Sequence, residues 1–320
     1  MLSKVSRKLK HICVAALAIQ AFMLSQTAWS QSLHTPGQES FASPDEAVNV
    51  LVTAAENHQR DDLHAIFGPA GRQLVSPDVV QAAASYKMFV QRLTQKVELV
   101  TNSEDNISLF LGNDNWPFPI PLVKRDGQWL FDTEAGRQEI LARRIGMNEL
   151  AVIGVCHAYV QAQRDYASED RMTDGVLAYA QFIHSDTGTH DGLYWPVQPG
   201  EPLSPLGPLI AAAHGEGYRH TKEMLNEQAQ PYHGYYFRIL TRQGPHAPGG
   251  KYNYIINGNM IAGFALVAWP AEWGNTGVMT FMVNQQGRIY EADLGPVTGK
   301  HAVNMKEYDP DPRWWKPVGQ

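Results

Sequence analysis

The chain has 320 residues, of which 44% are hydrophobic and 18% are charged, and its formal net charge is −6. This length and apolar content predict a globular protein of two domains and argue against the fibrous and disordered classes. The acidic balance argues against nucleic acid and against an anionic lipid surface as partners, because each requires a basic face on the protein.

The first 30 residues have the three parts of a secretory signal peptide. They are a basic start, an apolar run over residues 12–24 and a small-x-small cleavage motif, carried by Lys4, Arg7, Lys8, Lys10 and Ala28-Trp29-Ser30. The apolar run is shorter than the roughly 20 residues of a spanning helix. We therefore predict cleavage near Ser30, export to the periplasm or beyond, and no transmembrane segment afterwards. A retained membrane anchor is the alternative.

Loss of that segment removes four basic residues and deepens the formal net charge from −6 to −10. It also removes Cys13 and leaves Cys156 as the single cysteine, so no intramolecular disulfide is possible. Cys156 is adjacent to His157, but consecutive helical residues point about 100° apart. We interpret Cys156 as a small buried side chain and not as a nucleophile.

A mobile polar leader is predicted over residues 31–42, and an N-terminal α+β domain over residues 43–145. Ser43 and Glu46 form a capping box for a first helix, and Ser76-Pro77-Asp78 caps a later helix. Apolar and polar residues then alternate as in strands, and Asp126-Gly127 marks a tight hairpin. Helices followed by an antiparallel meander with residues 122–129 (LVKRDGQW) resemble the NTF2-like cone fold. Such cones often enclose an apolar pocket.

A second α+β domain is predicted over residues 146–320. Its first helix, from Asn148 to Tyr166, carries a wide apolar stripe that includes Leu150 and Val155, and it requires a sheet to pack on. An antiparallel meander over residues 235–292 supplies that sheet. Hairpins are predicted at Asn257-Gly258 and over residues 284–287, and a further helix is predicted from Thr173 to Ile183.

A long loop rich in glycine and proline, over residues 185–209, is where we expect binding residues. The candidate catalytic residues there are Asp191 and Glu201. Aromatic side chains offer rigid contact area, so the candidate ligand-binding residues are Tyr194, Trp195, Trp269 and Trp273. The histidine pairs His184/His190 and His214/His220 are six residues apart, which is not a zinc spacing. We predict no metal site and no cofactor.

Five segments resemble the DUF2950 family of exported bacterial proteins: residues 116–121 (WPFPIP), 144–150 (RIGMNEL), 191–196 (DGLYWP), 232–237 (YHGYYF) and 264–271 (FALVAWPA). The resemblance covers nearly all of the chain after the signal peptide and implies no particular activity. Residues 148–168 and 234–290 also resemble the soluble domains of type IV pilins and pseudopilins. That second resemblance implies a helix lying across an antiparallel sheet, here without the hydrophobic helix through which pilins polymerise.

Three functions fit these patterns. The sequence holds no G-x-S-x-G, H-E-x-x-H, Walker or dinucleotide signature, so we favour a non-enzymatic interaction or envelope-associated module whose partner is another envelope protein. The first alternative is a hydrolase of cell-wall or carbohydrate material, with Asp191 and Glu201 as its acids and Tyr194 or Trp195 stacked on a sugar. The second is small apolar-ligand binding in the N-terminal cone. The oligomeric state stays open.

Overall fold

A computed structural model describes residues 37–218 and 230–319. The predicted signal peptide, the leader up to residue 36 and His220 lie outside these ranges. No helix within them is both long enough and apolar enough to cross a membrane.

The N-terminal part consists of three helices and a small sheet. Its helices are α1 (Pro44–Glu56), α2 (Arg60–Phe67) and α3 (Val79–Gln95), with a 3-10 turn at Pro69–Leu74. Ser43 is confirmed as the cap, because the Glu46 amide donates to Ser43 Oγ, whereas Glu46 Oε2 accepts from the amide of Ala42, one residue before the cap. The helices and one face of the sheet enclose a core that includes Leu51, Ile66 and Phe131.

The N-terminal sheet is antiparallel in the order β1-β2-β4-β5, with β3 paired to β2. Its strands are β1 (Val97–Ser103), β2 (Asn106–Leu111), β3 (Trp116–Pro117), β4 (Leu122–Arg125) and β5 (Gln128–Phe131). The Asp126-Gly127 hairpin is confirmed, and both residues have positive φ, 51° and 81°. A two-residue turn of this type matches the twist of the strands that it joins.

A single helix, α4 (Thr133–Tyr166), connects the two parts of the chain. The predicted boundary between residues 145 and 146 falls inside it. Its early residue Ile140 packs on the N-terminal core, whereas Val155 and Tyr159 belong to the C-terminal core. The prediction that Leu150 lies on the buried stripe is wrong, because this side chain is 71% exposed.

The C-terminal sheet is antiparallel in the order β16-β15-β14-β13-β8. Its strands are β8 (Tyr235–Leu240), β13 (Ala265–Pro270), β14 (Met279–Asn284), β15 (Ile289–Asp293) and β16 (Lys316–Pro317). Helix α4 packs on β13 and β14, where the Tyr159 hydroxyl donates to the Ala265 carbonyl over 3.1 Å. Helices combined with antiparallel sheets and one long helix confirm the predicted α+β class.

Two short antiparallel pairs follow β8. They are β9 (Arg242–Gln243) with β10 (Tyr252–Asn253), and β11 (Ile255–Ile256) with β12 (Asn259–Met260). The second pair confirms the Asn257-Gly258 turn, and the β14–β15 pairing confirms the hairpin over residues 284–287. A 3-10 turn (Gly295–Val297) and helix α6 (Thr298–Asn304) precede β16.

The segment after α4 differs from its prediction. The helix expected from Thr173 to Ile183 is wrong, because these residues form turns followed by the short strand β6 (Phe182–His184). Thr173 has a φ of 55°, outside the right-handed helical region, and the side chains of Asp170 and Asp174 accept the amides of Gly175 and Val176 within these turns. Within the predicted loop, β7 (Gly192–Tyr194) pairs in parallel with β6, and α5 (Gly207–Glu216) begins.

Candidate functional site

A concave pocket of about 190 Å³ lies between the chain that follows β7 and helix α5. Its lining is mostly apolar and aromatic, and consists of Tyr194, Trp195, Pro196, Val197, Leu203, Ser204, Gly207, Ile210, Ala211 and His214. Small-molecule and side-chain pockets in proteins have this composition, with a few polar groups among apolar walls.

The strand pair β6–β7 sets the position of the aromatic wall. The Ser185 amide donates to the Tyr194 carbonyl over 2.8 Å, and the Gly192 amide donates to Ser185 Oγ over 2.9 Å. A Cβ on Gly192 would lie 2.5 Å from the backbone of His184, so only glycine permits this close approach. Tyr194 and Trp195 are therefore presented from a short but well-anchored strand.

Two side chains contact the ring of Trp195. The His190 imidazole stacks on it with the ring centroids 4.3 Å apart, and the Arg171 guanidinium lies 5.5 Å from the indole centroid. His190 is itself fixed, because its carbonyl accepts a 2.6 Å hydrogen bond from the Tyr166 hydroxyl at the end of α4. An aromatic side chain fixed in this way loses little conformational entropy when it makes a contact.

Helix α5 forms the opposite wall, and Ser204 lies where that wall meets the loop. The Ser204 carbonyl accepts from the Gly207 amide over 2.7 Å, at the start of α5. The side chain is only 2% exposed, and its Oγ makes no hydrogen bond with any described residue. Buried hydroxyls are nearly always hydrogen-bonded, so this one stands out.

The two candidate acids have structural contacts in the loop. Asp191 Oδ1 accepts from the Asp186 amide over 2.9 Å and from the Thr189 hydroxyl over 2.6 Å. Glu201 is exposed, and its Oε2 accepts from the Gln198 amide over 2.9 Å. Neither residue lines the pocket, whereas both aromatic candidates of the loop do.

The other two aromatic candidates lie away from this pocket. Trp269 is buried in β13, where its ring packs against Tyr236. Trp273 is 38% exposed, and its Nε1 donates to Asp293 Oδ1 over 2.8 Å. The structure therefore brings together Tyr194 and Trp195 but not all four aromatic candidates.

A buried polar cluster joins the N-terminal and C-terminal parts. Asp78 is completely buried, and its Oδ1 accepts the amides of Val80 and Gln81 at the start of α3. Its Oδ2 accepts from the Tyr218 hydroxyl over 2.7 Å and from the Gly234 amide over 3.2 Å. Burial, together with the negative charge of Asp78, raises the pKa of Tyr218, so this phenol stays protonated.

A chain of side-chain contacts continues the junction from the end of α5. Glu216 Oε2 lies 2.9 Å from His233 Nε2, and His233 Nδ1 lies 3.3 Å from Gln81 Nε2. Gln81 Nε2 also donates to Asn148 Oδ1 over 2.6 Å, and Asn148 Nδ2 donates to the Thr276 carbonyl over 2.8 Å. These pairs connect α3, α4 and α5 with the turn that leads into β8 and with the connection between β13 and β14.

Sequence reasoning missed Ser204 and the junction cluster, and it considered His214 only as a metal ligand. The density of proline around Ser204 was a signal of an ordered loop, but nothing local indicated which hydroxyl is buried. The junction partners of Asp78 and Gln81 outside α3 are 67–156 residues away in sequence, a separation at which no periodicity or motif operates.

The described residues contain no group of three or more His, Cys, Asp or Glu side chains that could hold a metal ion. Cys156 is completely buried in the C-terminal core. Burial raises the pKa of its thiol to about 12, which disfavours the thiolate that a nucleophile requires.

The comparisons with known proteins agree with the resemblance found in the sequence. A family model described as a protein of unknown function (DUF2950) matches residues 38–318. No curated protein and no solved structure matches the chain. The NTF2-like and pilin-like likenesses therefore stay predictions. Because the family model spans most of the chain, this protein belongs to the DUF2950 family.

Proposed function

We propose that this chain is a non-enzymatic interaction module that binds an apolar group of its partner in the pocket lined by Tyr194 and Trp195. The observation that carries the proposal is the pocket itself, a concavity of about 190 Å³ with aromatic and aliphatic walls. Rigid aromatic residues in desolvated pockets dominate the binding energy of many interfaces. The stacking of His190 on Trp195 supports such a role, because it orders the anchor before binding.

The hydrolase hypothesis ranks second on the same geometry. A pair of catalytic carboxylates must face the bond that is cleaved. Asp191 and Glu201 instead accept backbone and hydroxyl hydrogen bonds inside their own loop, outside the pocket lining. The contacts of both acids are those of residues that shape a loop.

Export and an envelope partner form part of the proposal. They rest on the signal-peptide pattern of the first 30 residues and on the acidic composition of the remaining chain. An exported acidic domain meets other envelope proteins and not nucleic acid, which accords with a peptide or protein group as the occupant of the pocket.

Two neighbouring alanines on α5 provide a matched test. Ala211 lines the pocket, whereas Ala212 is exposed beside it and does not. Ala211→Phe should fill the cavity, while Ala212→Phe adds the same ring to the same helix outside it. In a crosslinked pull-down from cell envelopes, we expect one set of partners for the parent and for Ala212→Phe, and a loss of at least tenfold for Ala211→Phe.

Both variants must first show the parent's melting temperature. Equal recovery of the partners by Ala211→Phe, or no reproducible partner of the parent chain, would refute the proposal.

A further inference from the structure

Strand β1 lies at an edge of the N-terminal sheet. It is the last strand in the order β1-β2-β4-β5, and no described strand pairs with its outer side. At the opposite edge, Phe41 and Trp129 exchange two backbone hydrogen bonds of 2.8 Å each, so β5 is partly covered. An open edge presents a row of N–H and C=O groups on which another strand can pair. In this sheet, β1 is the open edge.

The hydrogen bonds to β2 show which backbone groups of β1 face outward. In an antiparallel pair, alternate residues exchange bonds with the partner strand, and the residues between them turn their N–H and C=O groups to the other side. The Lys96 carbonyl accepts from the Gly112 amide over 2.9 Å, in the register of the β1–β2 pair. Counted in twos from Lys96, Val100 bonds to β2. Leu99 and Thr101 therefore turn their backbone groups outward.

The strand lacks most of the features that protect natural sheet edges. Such edges are very short, or carry proline, several charges or a bulge. The seven residues of β1 include no proline and one charged side chain, Glu98. Its register shift comes after Thr101, near the end of the strand. From Val100 onwards every residue of the strand is exposed, so neither sequence nor burial closes this edge.

The side chains of β1 fit a second copy of the same strand in one antiparallel register. A two-fold axis at Val100 pairs Leu99 with Thr101 of the second copy, and both present outward backbone groups. The same register brings Lys96 close to Glu104 of the second copy, and opposite charges across a strand pair are favourable. Val100 then faces its own counterpart across the axis. The surface is therefore complementary to itself, as a two-fold interface requires.

Neighbouring registers fit less well. A two-fold axis at Thr101 would bring Glu98 close to Glu104 of the second copy, and like charges that face each other are destabilising. An axis at Leu99 would move Lys96 away from Glu104 and lose the ion pair. An axis between two residues would set an outward residue against one that bonds to β2, so the backbone groups would not meet.

We propose that β1 is a dimerisation surface, on which the β1 strand of a second copy of this chain pairs antiparallel about a two-fold axis at Val100. The two N-terminal sheets then continue into each other across the axis. Backbone hydrogen bonds between Leu99 and Thr101 hold the strands together, and two symmetric ion pairs between Lys96 and Glu104 set the register. This surface acts independently of the pocket beside α5.

Charge reversal tests the register. Sedimentation velocity measures the dissociation constant of the dimer for the chain without residues 1–30, at about 1–200 µM. We expect the parent to dimerise in this range. Lys96→Glu and Glu104→Lys should each raise the dissociation constant about tenfold, because each creates two like-charged pairs in the dimer. The double variant should return it to within about twofold of the parent. Both positions are exposed, so the folded chain tolerates the changes.

Crosslinking tests the position of the axis. Cys156 is buried, so an introduced exposed cysteine is the one that reacts. In Val100→Cys the two Cα atoms would lie about 4.5 Å apart, as in a strand pair without hydrogen bonds, and a disulfide can span this distance. Glu98→Cys is the matched control on the same face of the strand, because its two copies would lie roughly 13 Å apart. With diamide as the oxidant, we expect Val100→Cys to crosslink at least about tenfold faster.

Two results would overturn the proposal. A parent chain that stays monomeric at the highest concentration would leave this edge to a strand of another protein. A dimer that crosslinks equally fast through both cysteine positions, or that ignores the charge reversals, would form through another surface. Ala211→Phe should leave the dissociation constant of the dimer unchanged, so this test and that of the pocket fail separately.

Discussion

The Tyr218 hydroxyl donates a 2.7 Å hydrogen bond to Oδ2 of Asp78, a residue 140 positions earlier in the chain. The other oxygen of the same carboxylate caps helix α3. One buried side chain therefore fixes both the start of an N-terminal helix and the segment that follows α5. This makes Asp78 one of the links between the N-terminal and C-terminal parts.

Removal of the phenol hydroxyl at this link should destabilise the protein. In Tyr218→Phe, Asp78 Oδ2 keeps only the longer bond from the Gly234 amide, and a buried charged acceptor loses its best donor. We expect a loss of about 1–3 kcal/mol in the free energy of unfolding, measured by urea denaturation. Tyr179→Phe is the control, because that hydroxyl makes no hydrogen bond with the described residues and its ring packs on Phe264. Equal losses for the two variants would contradict the link.

Two residues on α4 test the packing of the helix on the C-terminal sheet. Val155 is 5% exposed and faces the core, whereas Leu150 is 71% exposed on the same helix. Val155→Asp would bury an unpaired carboxylate, which costs several kcal/mol of the about 5–15 kcal/mol that stabilises a domain. Leu150→Asp should cost less than about 0.5 kcal/mol. Soluble yield and melting temperature measure both, and similar values would show that this face of α4 is not buried.

Alkaline pH should weaken the fold through its buried tyrosines. Burial raises the pKa of Tyr166 and of Tyr232 to about 12, from an ordinary value of 10.0. Between these values the unfolded chain loses phenolic protons that the folded chain retains, so stability is full below pH 10 and falls as the pH rises towards 12. We expect the melting temperature to fall by several degrees over this pH range, because the free energy of unfolding decreases as the phenols ionise.

Absorbance at 295 nm should show these phenols ionising together with the loss of circular dichroism. The double variant Tyr166→Phe/Tyr232→Phe should show a flatter dependence of stability on pH than the parent. An identical slope in the two proteins would assign the alkaline transition to other groups.

Cys156 provides a probe of opening of the C-terminal core. In the chain without residues 1–30 it is the single cysteine, it is completely buried, and the raised pKa keeps it as the thiol. At pH 8 we expect reaction with a chromogenic disulfide reagent at least a hundredfold slower than in denaturant. The rate should increase in parallel with unfolding measured by fluorescence. A fast reaction under native conditions would mean that the core around α4 opens locally.

Turn chemistry accounts for the parts of the fold that the sequence predicted well. Asp126-Gly127 and Asn257-Gly258 take the positive φ values that a two-residue hairpin requires, and few other residue pairs do so at low cost. Because this turn signal depends only on adjacent residues, it also predicts the two strands that flank each turn. Tyr194 and Trp195 were found in a similar way, because they lie in a loop punctuated by glycine and proline.

The helix predicted from Thr173 to Ile183 is absent, because side chains elsewhere in the chain take up backbone groups that the helix would need. Thr173 has a φ of 55°, and the Gln163 side chain hydrogen-bonds both backbone groups of Ala180. Hydrophobic periodicity does not register such bonds, because they depend on residues elsewhere in the chain. The burial of Ser204 could not be predicted for the same reason, since it depends on how α5 packs against the loop.

The shared helix α4 also sets an order of events during synthesis. Its 34 residues span about 50 Å, and its second half is buried by strands β13 and β14, which end at Asn284. A helix segment without its packing partner is marginal in water. At about 5–20 residues per second, the ribosome supplies those strands on the order of ten seconds after Tyr166. The nascent chain thus carries an exposed apolar face throughout that interval, and such a face is a surface to which chaperones bind.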